Sequence, residues 1–334
     1  MSLILPEGYK SSLGVIETQQ AIKDLKDFFE DKLGEYLSLT RVSSPLFVFP
    51  ETGTNDNLNG TEKAVSFEVT DMKKTAEIVH SLAKWKRMAL KKYGFSLGKG
   101  IYTDMNAIRK DEELDNIHSI YVDQWDWELI INKSDRNIES LKEIVSKIYS
   151  VFKETEEHVC DIYPEVKKML PKEITFITSQ ELLDMYPGLT PKERENKIVK
   201  EKGAVFLMQI GKVLSSGDKH DGRSPDYDDW DLNGDILFYN PVLDNAIELS
   251  SMGIRVDEES LKRQLELSGC EDRKELDYHK ALLNGDLPYT IGGGIGQSRI
   301  CMYFLNKAHI GEVQAGIWPQ DMVKKCEDFG IHLL

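Results

Sequence analysis

The stretch TIGGGIGQSRICMYFL, Thr290 to Leu305, crowds Gly292, Gly293, Gly294 and Gly296 ahead of Arg299 and an apolar run. Glycines this dense mark backbone that passes close to something with no side chain between. Two phosphate-binding turns fix glycines at set steps, and neither is present. A G-x-G-x-x-G turn counted from Gly292 or Gly294 would need glycine where Gln297 or Arg299 stands. The pairs Gly98-Lys99 and Gly211-Lys212 continue with Gly100 and Val213 rather than Ser or Thr, which excludes a P-loop. What remains is a strand or turn opening onto a helix that begins near Gln297 and carries Arg299 in its first turn. That end of a helix already bears partial positive charge, so Arg299 either has an anion beside it or is a solvated cation next to a structural turn.

The rest of the chain tells what such a strand sits in. Ile22, Leu25, Phe28, Phe29 and Leu33 recur at helical spacing over residues 18–33, and YLSLTRV then alternates as a strand stopping before Pro45. A second helix runs from Ser81 as N-cap to the Gly94 stop, and Thr190, Pro191 and Glu193 start another with a capping box. AVSFEV, AIRKD, HSIYVDQWDWELII, ITFIT, AVFLMQI, DILFYN and AIELSSMGIRV read as strands. Strands and helices do not alternate regularly. The expectation is therefore α+β: a mostly antiparallel sheet flanked by helices, not a doubly wound parallel one. No repeat, low-complexity tract or long linker divides the chain, and 334 residues at 40% hydrophobic suffice for one large core.

Some strands spend core positions on polar groups. In IYVDQWDW the period of two puts Gln124 and Asp126 on one face and Asp123 on the other. A buried amide and carboxylate need partners, which points to a site lining. Arg109 ends a strand at the root of a loop carrying KDEELDN, and alone it reads as an exposed loop arginine. DKHDGRSPDYDDW, residues 218–230, reads as a solvated, turn-rich loop holding Arg223. Asp235 begins the strand DILFYN and Glu248 lies within AIELSS, with Arg255 seven residues on. Two carboxylates on nearby strands suit Mg²⁺, which prefers hard oxygen ligands.

Lys plus Arg is 42 against 57 Asp plus Glu, a net charge of −15, which argues against a long nucleic-acid partner. No apolar run approaches the roughly 18 residues of a membrane span, and MSLILPEGYK has no leader pattern, so a cytoplasmic protein with no membrane attachment is expected. Cys160, Cys270, Cys301 and Cys326 are scattered with no C-x-x-C, as reduced thiols would be.

AIRKD before a long loop, ELSSMGIR, and GGGIGQSR opening a helix resemble the signature motifs of class II aminoacyl-tRNA synthetases. The helix, strand and Pro45 near the start resemble their first, dimer-forming motif. A fuller match exists. GTNDNLNGTEKAV, HSLAKWKR, YVDQWDWE, SPDYDDW, LNGDI, ELSSMGIRV and TIGGGIGQSR, in that order, resemble the ammonia-dependent asparagine synthetases of the A type. That resemblance implies a class II synthetase-like catalytic domain over residues 11–334, with residues 1–10 an extension, acting as a homodimer. It implies L-aspartate, ATP and ammonia as substrates, and L-asparagine, AMP and pyrophosphate as products, through a β-aspartyl-adenylate. It gives Arg299 to the ATP phosphates or the carboxylate being activated, Arg109 to the α-phosphate, Asp235 and Glu248 to Mg²⁺ and the nucleotide, and Asp56 to the incoming ammonia. Lys86 and Arg223 take aspartate carboxylates and Asp126 and Asp228 its ammonium. Ser81, Gln124, Ser250 and Ser251 complete the substrate set. Between DYDDW and LNGD the chain has only Asp231, where a lid-forming insertion belongs to the pattern. A tRNA synthetase would need an anticodon-binding domain, and a non-catalytic paralogue would lack the phosphate arginines or metal carboxylates that are present. No glutaminase-like segment remains, so free ammonia is the expected nitrogen donor.

Overall fold

A computed structural model describes residues 3–56 and 62–334; residues 57–61 of the GTNDNLNGTEKAV motif lie outside the described residues. Helix α1, Val15–Leu37, is longer than its sequence pattern suggests because the buried stripe Ala21, Leu25, Phe29, Leu33 continues to Leu37. Tyr36 and Leu37, read above as strand, are therefore helical. The turn ends at Ser38 in the left-handed region (φ 54), and β1 is only Leu39–Arg41. Strands β2 (Phe47–Val48), β3 (Ser66–Val69) and β4 (Lys74–Ile78) form a small antiparallel sheet in the order β2-β4-β3. Helix α2, Ala83–Tyr93, follows; the Ser81 Oγ accepts from the Ala83 N–H at 3.1 Å and Gly94, at φ 72, ends it.

Strands β5 (Gly100–Ile108) and β6 (Tyr121–Ile130) make an antiparallel hairpin whose connecting loop starts at Arg109. Beyond it come α3 (Ile138–Ile162), β7 (Thr175–Thr178), α4 (Ser179–Met185), α5 (Pro191–Lys202) and β8 (Ala204–Met208). The hairpin β9 (Asp228–Asn240) and β10 (Asn245–Arg255) follows, then α6 (Glu258–Leu267), α7 (Asp277–Leu283), β11 (Thr290–Gly296), α8 (Gln297–Phe304) and α9 (Gln320–Asp328). Strand β9 begins at Asp228, not Asp235, because its first residues already pair with Arg255 and Gly253 of β10.

The large sheet runs β1-β5-β6-β11-β10-β9-β8-β7, and only the outer pairs β1/β5 and β7/β8 are parallel. Strand β11 is the last in the chain yet lies between β6 and β10. This explains the glycines. A Cβ on Gly292 would sit 2.0 Å from Glu128 Oε2, one on Gly293 2.7 Å from the Ser251 carbonyl oxygen, and one on Gly294 2.5 Å from Gln124 Oε1. Side-chain alternation then separates two faces. Trp125 and Trp127 point into the main core with α1 and α3, where Phe29 stacks on Trp125 at 4.8 Å between ring centroids and Phe152 meets Phe238 at 5.1 Å. Gln124, Asp126 and Glu128 take the opposite face.

At the other end of the chain's path, the Ile4 N–H donates to Asn116 Oδ1 at 2.7 Å and the Tyr9 hydroxyl to Glu312 at 2.9 Å, so segment 3–10 packs on the domain. No helix among the described residues is long and apolar enough to cross a membrane.

Candidate active site

On the polar face of β6, β10 and β11 lie two joined hollows, of about 520 and about 180 Å³. They share Arg109, Glu112, Gln124, Glu248 and Gly294. The larger is also lined by Asp56, Ser81, Lys86, Asp126, Arg223, Asp228 and Ser251, the smaller by Ser250 and Arg299. Of the expected site residues, only Asp235 lines neither; it stands behind Arg223, which donates to its Oδ1.

The charges are arranged in buried pairs. Lys86 Nζ is 3.0 Å from Asp126 Oδ2 and donates to the Gly293 carbonyl at 2.8 Å, with both side chains fully enclosed. Burial pushes the Lys86 ammonium down against the pull of Asp126. Among the described residues Asp126 Oδ1 keeps no partner, nor do Arg223 Nε and Ser250 Oγ. Such atoms are costly unless something else satisfies them. Arg255, which follows Glu248 in the sequence, belongs to a different group: Nε and Nη2 donate to Glu128 at 3.0 and 2.7 Å, and Nη1 donates to Asp228. The Thr290 hydroxyl adds a 2.6 Å bond to Glu128. Burial alone pushes the Glu128 carboxyl up, but Arg255 outweighs it and the net shift is down. Asp228, by contrast, is left raised by burial despite Arg255 and Arg223.

Two arginines of the joined hollows are only lightly held. Arg109 Nη1 lies 3.9 Å from Glu112, and its Nε is buried with no partner. Arg299 donates from Nη1 to the Glu248 carbonyl at 3.0 Å and from Nε to the Ile117 carbonyl at 3.3 Å. The anion that its helix end requires is Asp123: the Ser298 N–H donates to Oδ1 at 3.0 Å and the Ser298 hydroxyl to Oδ2 at 2.8 Å.

Burial pushes the Asp235 carboxyl up to about 8, with the charge of Glu248 adding to the shift and Arg223 opposing it. Asp235 and Glu248 lie on the neighbouring strands β9 and β10, and carboxylate oxygens suit a hard divalent ion. Among the described residues no cluster of three or more His, Cys, Asp or Glu side chains is set for a metal. An ion here would complete its shell with phosphate oxygens and water.

The stretch 218–230, read above as solvated, is drawn inside from Ser224 onward: Asp226 is 0% and Asp228 2% exposed. Asp226 collects Lys84 Nζ at 3.0 Å, Arg273 Nη1 at 3.0 Å, His279 Nε2 at 2.9 Å and the Ser224 hydroxyl at 2.9 Å. Burial pushes that carboxyl up, but the cations hold it well below the usual range. These partners come from distant segments, so a local turn pattern could not reveal them. Glu128 was more accessible to sequence reasoning, since the period of two extends from Gln124 and Asp126 to it.

The fold and the cluster of arginines and carboxylates on one face of its antiparallel sheet define a class II aminoacyl-tRNA synthetase-type catalytic domain. Asparaginyl-tRNA synthetase from Pyrococcus horikoshii, complexed with asparaginyl-adenylate, superposes with a TM-score of 0.66 at 16% identity, over 91% of this chain and 70% of that one. The Entamoeba histolytica asparaginyl-tRNA synthetase gives 0.62 at 13% identity, over 90% of this chain and 66% of that one. The particular family follows from sequence: the aspartate-ammonia ligase model matches residues 16–330. Aspartate–ammonia ligases of Ruminiclostridium cellulolyticum and Clostridium perfringens (strain 13 / Type A) are 66% and 65% identical, over 100% and 99% of this chain and 99% of each relative. The chain belongs to the aspartate-ammonia ligase family.

Proposed function

We propose that this hollow makes L-asparagine from L-aspartate, ATP and ammonia, through a β-aspartyl-adenylate, releasing AMP and pyrophosphate. What supports the reading beyond family membership is that Arg109 and Glu248 line both joined hollows, the smaller of which holds Arg299 and the larger the buried Lys86–Asp126 pair. An amino-acid pocket thus adjoins a phosphate pocket. Adenylation joins a β-carboxylate oxygen of aspartate to the α-phosphorus of ATP and expels pyrophosphate. Negative charge grows on the phosphoryl oxygens, and Arg109 and Arg299 neutralise it. Their loose attachments leave both guanidinium groups free to turn to that task.

Aspartate brings two carboxylates and one ammonium. The unpartnered Asp126 Oδ1 takes the ammonium with Asp228, and Arg223 Nε and the third N–H of Lys86 take carboxylate oxygens. Ser81, Gln124, Ser250 and Ser251 supply neutral hydrogen bonds. Glu248 and Asp235 would hold a divalent cation, assigned here as Mg²⁺, which would supply charge neutralisation at the phosphates. Asp56, enclosed with only the Ser224 hydroxyl near its carboxylate among the described residues and pushed up by burial, meets the ammonia. The protein works in the cytoplasm, where ATP is available, and cell fractionation tests that. It does so as a homodimer joined at α1 and edge strand β1, next to the exposed Leu46 and Phe47; light scattering should give twice the 38.1 kDa chain mass.

Chromatography of a reaction with aspartate, ATP and ammonium tests the chemistry. AMP should appear in step with asparagine. Arg109→Ala and Arg299→Ala should cut turnover on the order of 10²-fold or more, because each contact strengthens in the transition state. Arg299→Lys should recover little, since an ammonium cannot reproduce a bidentate fork. ADP in place of AMP, or near-normal turnover in either alanine variant, overturns the scheme.

A further inference from the structure

Beside Asp56 a second buried base lies unpaired. His80 is 1% and Asp56 2% exposed, and both line the larger hollow. Among the described residues His80 Nε2 has no hydrogen-bond partner, and the Asp56 carboxylate has only the Ser224 hydroxyl near it. His80 Nδ1 lies 3.1 Å from the Asp56 carbonyl oxygen. A carbonyl only accepts, so Nδ1 carries the hydrogen, and in the neutral ring Nε2 keeps its lone pair.

One residue fixes these two bases in register. Asn55 Oδ1 accepts from the N–H groups of both Asp56 and His80, each at 2.9 Å. Its Nδ2 donates to the Ile78 carbonyl at 3.3 Å and to Glu77 Oε2 at 3.2 Å. The segment bearing Asp56 is thereby tied to the segment bearing His80, and neither can drift independently of the other. A carboxylate and an imidazole nitrogen enclosed with so few donors cost free energy. A small cation rich in N–H and lacking carbon would satisfy both.

The proton count of the ligase reading, on which this inference rests, calls for two acceptors. An ammonium ion first gives up one proton to become ammonia. The nitrogen lone pair then forms a bond to the β-carbonyl carbon, the bond from that carbon to the phosphate oxygen breaks, and its electron pair leaves with AMP. The new C–NH₃⁺ group sheds a second proton to become the amide. We propose that Asp56 and His80 together form the ammonium site, with the Asp56 carboxylate taking one of these protons and His80 Nε2 the other. His80 is then a catalytic residue of the amidation half. It also lines a small hollow of about 50 Å³ shared with Lys110, Asp111 and Glu112, a polar route by which its proton can leave.

The test separates the two halves of the reaction in His80→Ala and in His80→Gln, which keeps bulk without a basic nitrogen and serves if the alanine variant does not fold. Both should still catalyse aspartate-dependent ATP–pyrophosphate exchange, while asparagine formation from ammonium falls on the order of 10²-fold. Hydroxylamine is neutral near pH 7 and has only one proton to lose, so hydroxamate formation should fall much less. Unchanged ammonium turnover, an equal loss with both nucleophiles, or loss of the exchange itself would each overturn the role of His80. Absence of exchange in the unaltered protein would instead overturn the ligase reading.

Discussion

A cation in the first turn of a helix is tolerable when a neighbour neutralises that turn, and Asp123 does so for Arg299 from across the sheet. The consequence is a guanidinium tethered to two backbone carbonyls and, among the described residues, to no carboxylate, which leaves its charge available to an anion in the hollow. His309 shows the opposite treatment of charge. It is fully buried, its Nδ1 accepts from the Gly311 N–H at 3.0 Å, and burial pushes the imidazole down to about 4 with Asp115 offsetting only part. The unfolded chain binds a proton there between about 6.5 and about 4 that the native state does not. The stability tied to His309 is thus fully present above about 6.5 and is lost as pH falls towards about 4, to a total on the order of 3 kcal/mol. His309→Asn keeps an acceptor for Gly311 without the titration. Calorimetry across this window should show a shallower fall in Tm for the variant; parallel curves would rule out His309 as the source.

Strand β11 lets packing and function be separated residue by residue. An added methyl at Gly293 meets backbone and the Met252 Cβ, which cannot withdraw, whereas at Gly294 it meets the ends of Gln124 and Asp126. Gly293→Ala should therefore lower Tm by several degrees. Gly294→Ala should instead raise KM for aspartate with a smaller change in Tm. The reverse ranking in thermal melts and kinetics would refute the division. This strand was legible in sequence as glycine-rich backbone near something, and α8 after it was legible to its first residue. The neighbours were not, because β6 and β10 flank β11 only through long-range pairing. The same limit explains Tyr36 and Leu37, where local alternation suggested a strand but the helix-spaced core contact of Leu37 prevails. It also explains residues 224–229, where turn-forming residues are held inside by Lys84, Arg273 and His279 from three other segments.

At the scale of the whole chain, the net charge is −15, and the larger hollow interleaves Lys86, Arg109, Arg223 and Arg255 with carboxylates such as Asp56, Asp126, Asp228 and Glu248. Fixed charges of both signs suit a small substrate that itself carries carboxylates and an ammonium, and the acidic balance of the chain offers little to a polyanion. The lining of the hollow also bears on where the amide nitrogen comes from. Drawing nitrogen from glutamine requires a nucleophile, normally a cysteine thiolate, beside a second pocket. None of the four cysteines lines the hollow. Cys301 and Cys326 are buried, and burial pushes their thiols up to about 12 and about 11, the reverse of activation. Burial raises the Cys160 thiol too, and Cys270 donates its thiol hydrogen to the Ser268 carbonyl oxygen. Free ammonia is therefore the expected donor. With aspartate and ATP supplied, ¹⁵N from ammonium should enter the asparagine amide, while ¹⁵N-amide glutamine in an ammonia-free preparation should transfer none above its spontaneous hydrolysis. Efficient transfer from glutamine by the purified chain would require a thiolate that these four environments do not provide, and would overturn the ammonia-only scheme along with the pairing of Asp56 to that substrate.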